Sequence, residues 1–99
     1  VKIIFHRHAD VEFGAAAHWY GAQRAGLDDD FELEVFAALD VISSSPHAFR
    51  AWSDLPEVHV FTMDRFPFLI AYSLPDRATL LVLAVAHSSR KPGYWMSRV

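Results

Sequence analysis

The stretch 80–86, Leu-Leu-Val-Leu-Ala-Val-Ala, constrains this chain more than any other. It has no polar side chain, is shorter than a typical helix, and is far too short to span a membrane. A run of this kind fits a strand near the centre of a sheet, with little exposure on either face. A second apolar run, Phe-Leu-Ile-Ala-Tyr at 68–72, precedes it, and Leu74-Pro75-Asp76-Arg77 lies between the two. This spacing predicts an antiparallel hairpin with a turn over 74–77. Pro75 presets φ for a turn, and Asp76 can accept a hydrogen bond from the backbone two residues on. Strand alternation places either Leu83 and Val85 or Val82 and Ala84 in one inward row.

The rest of the chain supplies what covers such a sheet. Residues 2–6 read as a short first strand near an edge, where Lys2 is tolerated. His6 and His8 share a face if that strand continues; they are either half of a zinc site awaiting a third ligand or two solvated rings. Residues 9–24 read as a helix with Asp10 and Glu12 in its first turn and Phe13, Ala16, Ala17 and Tyr20 as its apolar stripe; Trp19 lies just off it, its ring either at the border of the core or offered to a partner. Gly26 ends it in the left-handed conformation. Asp28 then caps a second helix whose stripe is Phe31, Val35, Ala38, Leu39 and Ile42, and Ser43-Ser44-Ser45-Pro46 closes it. The acids at 28, 29, 30, 32 and 34 lack the alternating pattern of a calcium loop and fit helix capping and a solvated face. Residues 47–58 read as irregular, anchored by Phe49, Trp52 and Leu55. A strand follows over 58–63, and Pro67, lacking an amide proton, opens the next.

The expected fold is α+β, in the order β-α-α-β-β-β. A helical hairpin packs on one face of a small, mostly antiparallel sheet, and a short helical turn over 94–98 ends the chain. The expectation is one domain spanning 1–99. The absence of cysteine excludes thiol chemistry and fits a cytoplasmic protein, as does an N-terminus too short in its apolar part for a signal peptide. Net charge is −3, but residues 1–49 carry eight acids against three Lys/Arg, and residues 50–99 carry four against six. An anionic partner would therefore be met by the second half.

No phosphate-binding glycine loop, nucleophile elbow or carboxylate pair is present. The remaining candidates are His87, Arg90, Lys91, Tyr94, Trp95 and Arg98, where polar groups emerge at the end of a buried strand, with Arg65 near the start of its partner. Such a set can in principle cleave RNA: His87 offers an imidazole for proton transfer, Arg90 and Lys91 can hold phosphate, and Tyr94 or Trp95 can stack on a base. Equally, these rings can close the core and the cations can lie on the surface. Nothing in the set calls for a metal or another cofactor.

Taken together, Phe5-His6, Glu12, Ala16-Ala17, Trp19-Tyr20, Gln23, Gly26-Leu27, Phe31 and Pro46, followed by Arg65-Phe66-Pro67-Phe68, Ile70, Tyr72, 82–85, His87, Arg90, Pro92, Tyr94-Trp95 and Arg98, resemble the RelE/ParE toxin superfamily. The similarity is strongest to its ParE-like branch, often called plasmid stabilisation proteins. The resemblance implies a bacterial type II toxin with no cofactor, neutralised by a small antitoxin that folds over it, the complex repressing its own operator DNA. It leaves room for a homodimer. ParE-like members inhibit DNA gyrase, whereas RelE-like members cut messenger RNA on the ribosome. The RNA-cutting members carry several Lys and Arg residues in the middle loop and sheet. Here the loop 50–58 has Arg50 but no lysine, and the sheet arginine's position falls on Leu69. The resemblance therefore favours a binding toxin, with Arg65, Arg90, Lys91, Tyr94, Trp95 and Arg98 as contacts to target or antitoxin. His87, Arg90 and Tyr94 would be the catalytic set of the endoribonuclease alternative. A third alternative is a toxin-like chain that has lost toxicity.

Overall fold

The apolar run 80–86 becomes an inner strand of a five-stranded sheet. In chain order the elements are β1 (Lys2–Phe5), α1 (Arg7–Gln23), α2 (Leu27–Ser44), β2 (Ala51–Trp52), β3 (Leu55–Thr62), β4 (Phe68–Asp76) and β5 (Thr79–His87), then a 3₁₀ turn (Tyr94–Arg98). The computed structural model describes residues 1–99. The strands lie in the order β1-β5-β4-β3-β2, with β1 parallel to β5 and the other pairs antiparallel. This is the expected α+β arrangement, with both helices on one sheet face.

The hairpin turn is tighter than the sequence suggests. β4 runs on to Asp76, which pairs with Thr79, so the turn is Arg77-Ala78 rather than 74–77. Asp76 accepts from the Ala78 amide at 2.8 Å. Pro75 sits where the register shifts between Ser73 and Asp76, a place where a missing N–H costs the ladder little.

A second irregularity governs which residues face which core. Ala71 pairs with Ala84 but Tyr72 pairs with Val82, leaving Leu83 as an extra residue on β5. The bulge shifts the alternation by one. Neither expected row forms. Leu80, Val82 and Val85 face the helices, while Leu83, Ala84 and Ala86 face the other side.

The helix-side core takes Phe31, Val35, Ala38, Leu39 and Ile42 from α2, the full stripe read from the sequence, and Ala9 and Ala17 from α1. The opposite face joins Val58, Val60, Ala71, Leu83, Ala84 and Ala86 under the ring of Trp95. Leu83 has no exposure. Its replacement by Ala should cost about 2–5 kcal/mol. Urea unfolding measures this; an unchanged midpoint would contradict the central placing of β5.

Three boundaries differ from the sequence reading. α1 begins at Arg7, because the His6 imidazole Nδ1 caps it by accepting from the His8 amide at 3.1 Å. That contact and the stacking of the two rings replace the notion of a shared strand face. α2 begins at Leu27 with Gly26, at φ 88°, as its N-cap. Asp28 therefore lies in the first turn with Asp29 and Asp30, where carboxylates favour the helix dipole. Finally, β3 starts at Leu55, and the connection read as irregular contains β2, which pairs Ala51 with His59 and Trp52 with Leu55 across a register shift. Two residues are too few to display a period.

Candidate functional site

The site grows out of an unpaired sheet edge. β1 ends at Phe5 opposite Val82, so beyond that point β5 has no strand neighbour on that side. Bare N–H and C=O groups along a strand invite pairing with other chains. Here they are satisfied locally. The Val82 carbonyl accepts from the His6 amide at 2.8 Å. The Val85 amide donates to Glu12 Oε1 at 3.1 Å, and Arg98 Nη1 donates to the Leu83 carbonyl at 2.9 Å.

Glu12 and Arg98 also meet each other. Nη1 donates to Oε1 at 3.0 Å and Nη2 to Oε2 at 2.9 Å, a two-pronged charge-assisted pair. The Tyr94 hydroxyl donates to Oε2 at 2.6 Å. The two charged side chains are only 16% and 14% exposed. Burial alone would raise the Glu12 carboxyl, but the hydrogen bonds from Arg98, Tyr94 and Val85 outweigh it and hold the group below the ordinary carboxylate range. Burial, and then the bond to Glu12, pushes the Tyr94 hydroxyl up to about 12. The cluster clasps the C-terminal turn to α1 and β5.

Beside this clasp, between α1 and the adjoining ends of β4 and β5, lies a cleft of about 540 Å³. Its walls are mostly apolar, from Ala15, Ala16, Trp19, Tyr20, Pro67 and Phe68. Trp19 is 57% exposed, so its ring is open to a partner. The polar groups lining it are Glu12, His87, Arg90 and Tyr94. The His87 ring packs edge-on to Phe68. Its Nδ1 accepts from the Ser89 amide at 3.0 Å, with the Ser89 hydroxyl 2.7 Å away. A nitrogen that accepts an N–H carries no proton, so neutral His87 holds its proton on Nε2. It therefore presents a donor rather than a base. Arg90 lies over the Tyr94 ring at 4.2 Å.

The fold thus brings His87, Arg90 and Tyr94 together, with exposed Lys91 following Arg90 in the chain. It does not bring the other candidates there. Arg65 donates to Asp30 at 3.0 Å and ties the β3–β4 connection to α2. Trp95 is 1% exposed and packs against Trp52 at 5.2 Å, so its ring belongs to the core rather than to a binding surface. Arg98 is committed to the clasp. Leu69, the position matched to a sheet arginine, is half-buried against the Trp95 side of the sheet. Besides Trp19, which the sequence offers either to the core border or to a partner, the cleft draws on Glu12, Ala15, Ala16, Tyr20, Pro67, Phe68 and Val85, which sequence reasoning left out of the site. Small side chains followed one helical turn later by an exposed aromatic signal a groove, and Ala15-Ala16 before Trp19 is such a signal.

No family model matches the chain, and no curated protein matches it. Among solved structures, the chain is similar to one described as the chromosomal ParDE TA system from P. aeruginosa. The TM-score is 0.70 at 14% sequence identity, covering 88% of this chain and 95% of that one. At that identity the similarity is one of fold.

Proposed function

We propose that this chain is the toxin of a type II toxin–antitoxin pair, of ParE-like kind. In this reading it works in the cytoplasm by stoichiometric binding, with DNA gyrase as first target. A small antitoxin neutralises it, and the pair together engages operator DNA. The observation that carries this reading is the chemistry of the cleft. It is a largely apolar groove beside unneutralised cations, and it lacks a base. His87 offers Nε2–H, Glu12 is spent on Arg98, and the Tyr94 hydroxyl is held by Glu12. Such a groove suits apolar side chains flanked by acids better than it suits phosphodiester chemistry. The shared fold with the ParDE system lends support.

A second reading rests on the convergence of His87, Arg90 and Tyr94 in one cleft. A ribosome-dependent endoribonuclease could use the Nε2–H of His87 and the Arg90 guanidinium as donors to the charge that builds on the phosphoryl group, both proton transfers being supplied from elsewhere.

Induction in a bacterial host should arrest growth, and co-expression of a small acidic protein encoded beside it should restore growth and co-purify. Substitution of Trp19 by Ser should weaken that association, since its ring is the largest exposed apolar group of the cleft. Growth unaffected by induction of folded protein, with no association at micromolar concentrations, would contradict the toxin reading.

A further inference from the structure

α2 is apolar on two sides. Phe31, Val35, Leu39 and Ile42 fill the core from one side. On the other side Leu33 is 67% exposed, Phe36 50% and Val41 49%, with exposed Ala37 between them; one edge of Phe36 meets the Phe13 ring of α1 at 5.7 Å and the rest of it is open. A surface helix normally keeps one apolar stripe and a polar opposite face. At its C-terminal end the second stripe opens into a shallow pocket of about 170 Å³, floored by Ala38, Phe61 and Met63 as well as Ala37 and Val41. Large side chains with a small one between them, beside a pocket, form a surface on which a helix can lie closely.

Charge narrows the choice of occupant. α2 carries Asp28, Asp29, Asp30, Glu32, Glu34 and Asp40 and no Lys or Arg. Arg65 and Arg24 reach Asp30, and Arg65 approaches Glu34 at 4.0 Å. Asp29 and Asp40, both exposed and on the same side as Leu33 and Phe36, have no ion pair. The pocket's polar groups are again carboxylates, Glu34 and Asp64. Such a face repels nucleic acid and anionic lipid. A second copy laid α2 against α2 would bring like charges together. A copy that offered its basic end instead would make a head-to-tail contact that need not close into a dimer.

We propose that the outer face of α2 docks an amphipathic helix of another protein, with apolar residues at three- and four-residue spacing and Lys or Arg along the flanks. An apolar side chain of that helix enters the pocket between α2 and β3, while its cations meet Asp29, Asp40, Glu34 and Asp64. This surface has the opposite charge preference to the cleft beside Arg90, and it does not depend on the chain being a toxin.

The test uses the full chain and a labelled synthetic helix of leucines at that spacing with lysine flanks, read by fluorescence anisotropy. A control peptide has glutamate for each lysine. The lysine peptide should bind and the glutamate peptide should bind at least tenfold more weakly. L33S/F36S should weaken binding about tenfold or more through lost apolar contact. D29K/D40K, which leaves the stripe intact and alters only exposed positions, should weaken it similarly. W19S should leave it unchanged. Amide shift changes on adding peptide should map to residues 33–41. Equal binding of both peptides, no binding of either, retention of affinity in both double variants, or shifts confined to the cleft would each overturn the proposal. So would a concentration-dependent dimer abolished by L33S/F36S, which would make the occupant a second copy.

Discussion

Replacing Glu12 by Ala should destabilise the protein by about 3–5 kcal/mol, the usual cost of removing one partner from a buried ion pair. The carboxylate receives Arg98 through both oxygens, the Tyr94 hydroxyl and the Val85 amide. Without it, a largely buried guanidinium loses its counter-charge, and a strand amide that no neighbour can reach loses its acceptor. E12Q, which keeps the shape and some acceptance, should lose less. E12L/R98M should recover part of the loss, because no charge is then stranded, although the Val85 amide and Leu83 carbonyl stay unpaired. The pH dependence follows in sign. The native carboxyl lies below its ordinary value, so its contribution is complete above the ordinary carboxylate range and fades as pH falls through the lowered native value. Urea midpoints should therefore drop more steeply with acidification in the wild type than in E12Q. Identical acid profiles would show that the clasp contributes nothing.

Trp95→Ala should cost a comparable amount, about 3–5 kcal/mol. The ring is 1% exposed and closes the face formed by Leu83, Ala84 and Ala86. The chain reaches that position through Gly93, at φ 79°, where an added Cβ would come within 3.2 Å of the Trp52 ring. Losing Trp95 also frees the turn that carries Arg98. The two sites are thus coupled, and E12A/W95A should lose less than the separate losses combined. Thermal unfolding of the single and double variants measures this. Strict additivity would mean that the clasp and the lid act independently.

Local chemistry made much of this fold legible in advance. The α2 stripe was readable in full because it has one period over a long helix, and the last hairpin because two apolar runs flank Asp76, whose side chain bonds the Ala78 amide; Pro75 drew the expected turn too early because it is also tolerated at an irregularity within a strand. The bulge at Leu83 was not readable, since an apolar run offers no polar residue to mark a change of face. The clasp joins residues 86 positions apart, and nothing local to Glu12 distinguishes it from an ordinary first-turn acid. Trp95 was ambiguous for a related reason: an aromatic residue after Pro-Gly can serve as a surface anchor or a lid, and only the apolar face of Leu83 and Ala84 lying beneath the ring decides it. Arg90 and His87 kept their place in the site because they stand where β5 leaves the core.

The most direct measurement of the central reading pairs two assays on the purified protein, free of any bound partner. One follows supercoiling by purified gyrase; the other follows messenger RNA on programmed ribosomes. The account predicts that supercoiling falls as the protein approaches the gyrase concentration, that R90A/K91A inhibits less while remaining folded, and that messenger RNA stays intact. Arg98 is left untouched because its loss would open the clasp. Codon-positioned cuts that disappear in H87A, with supercoiling undisturbed, would contradict it.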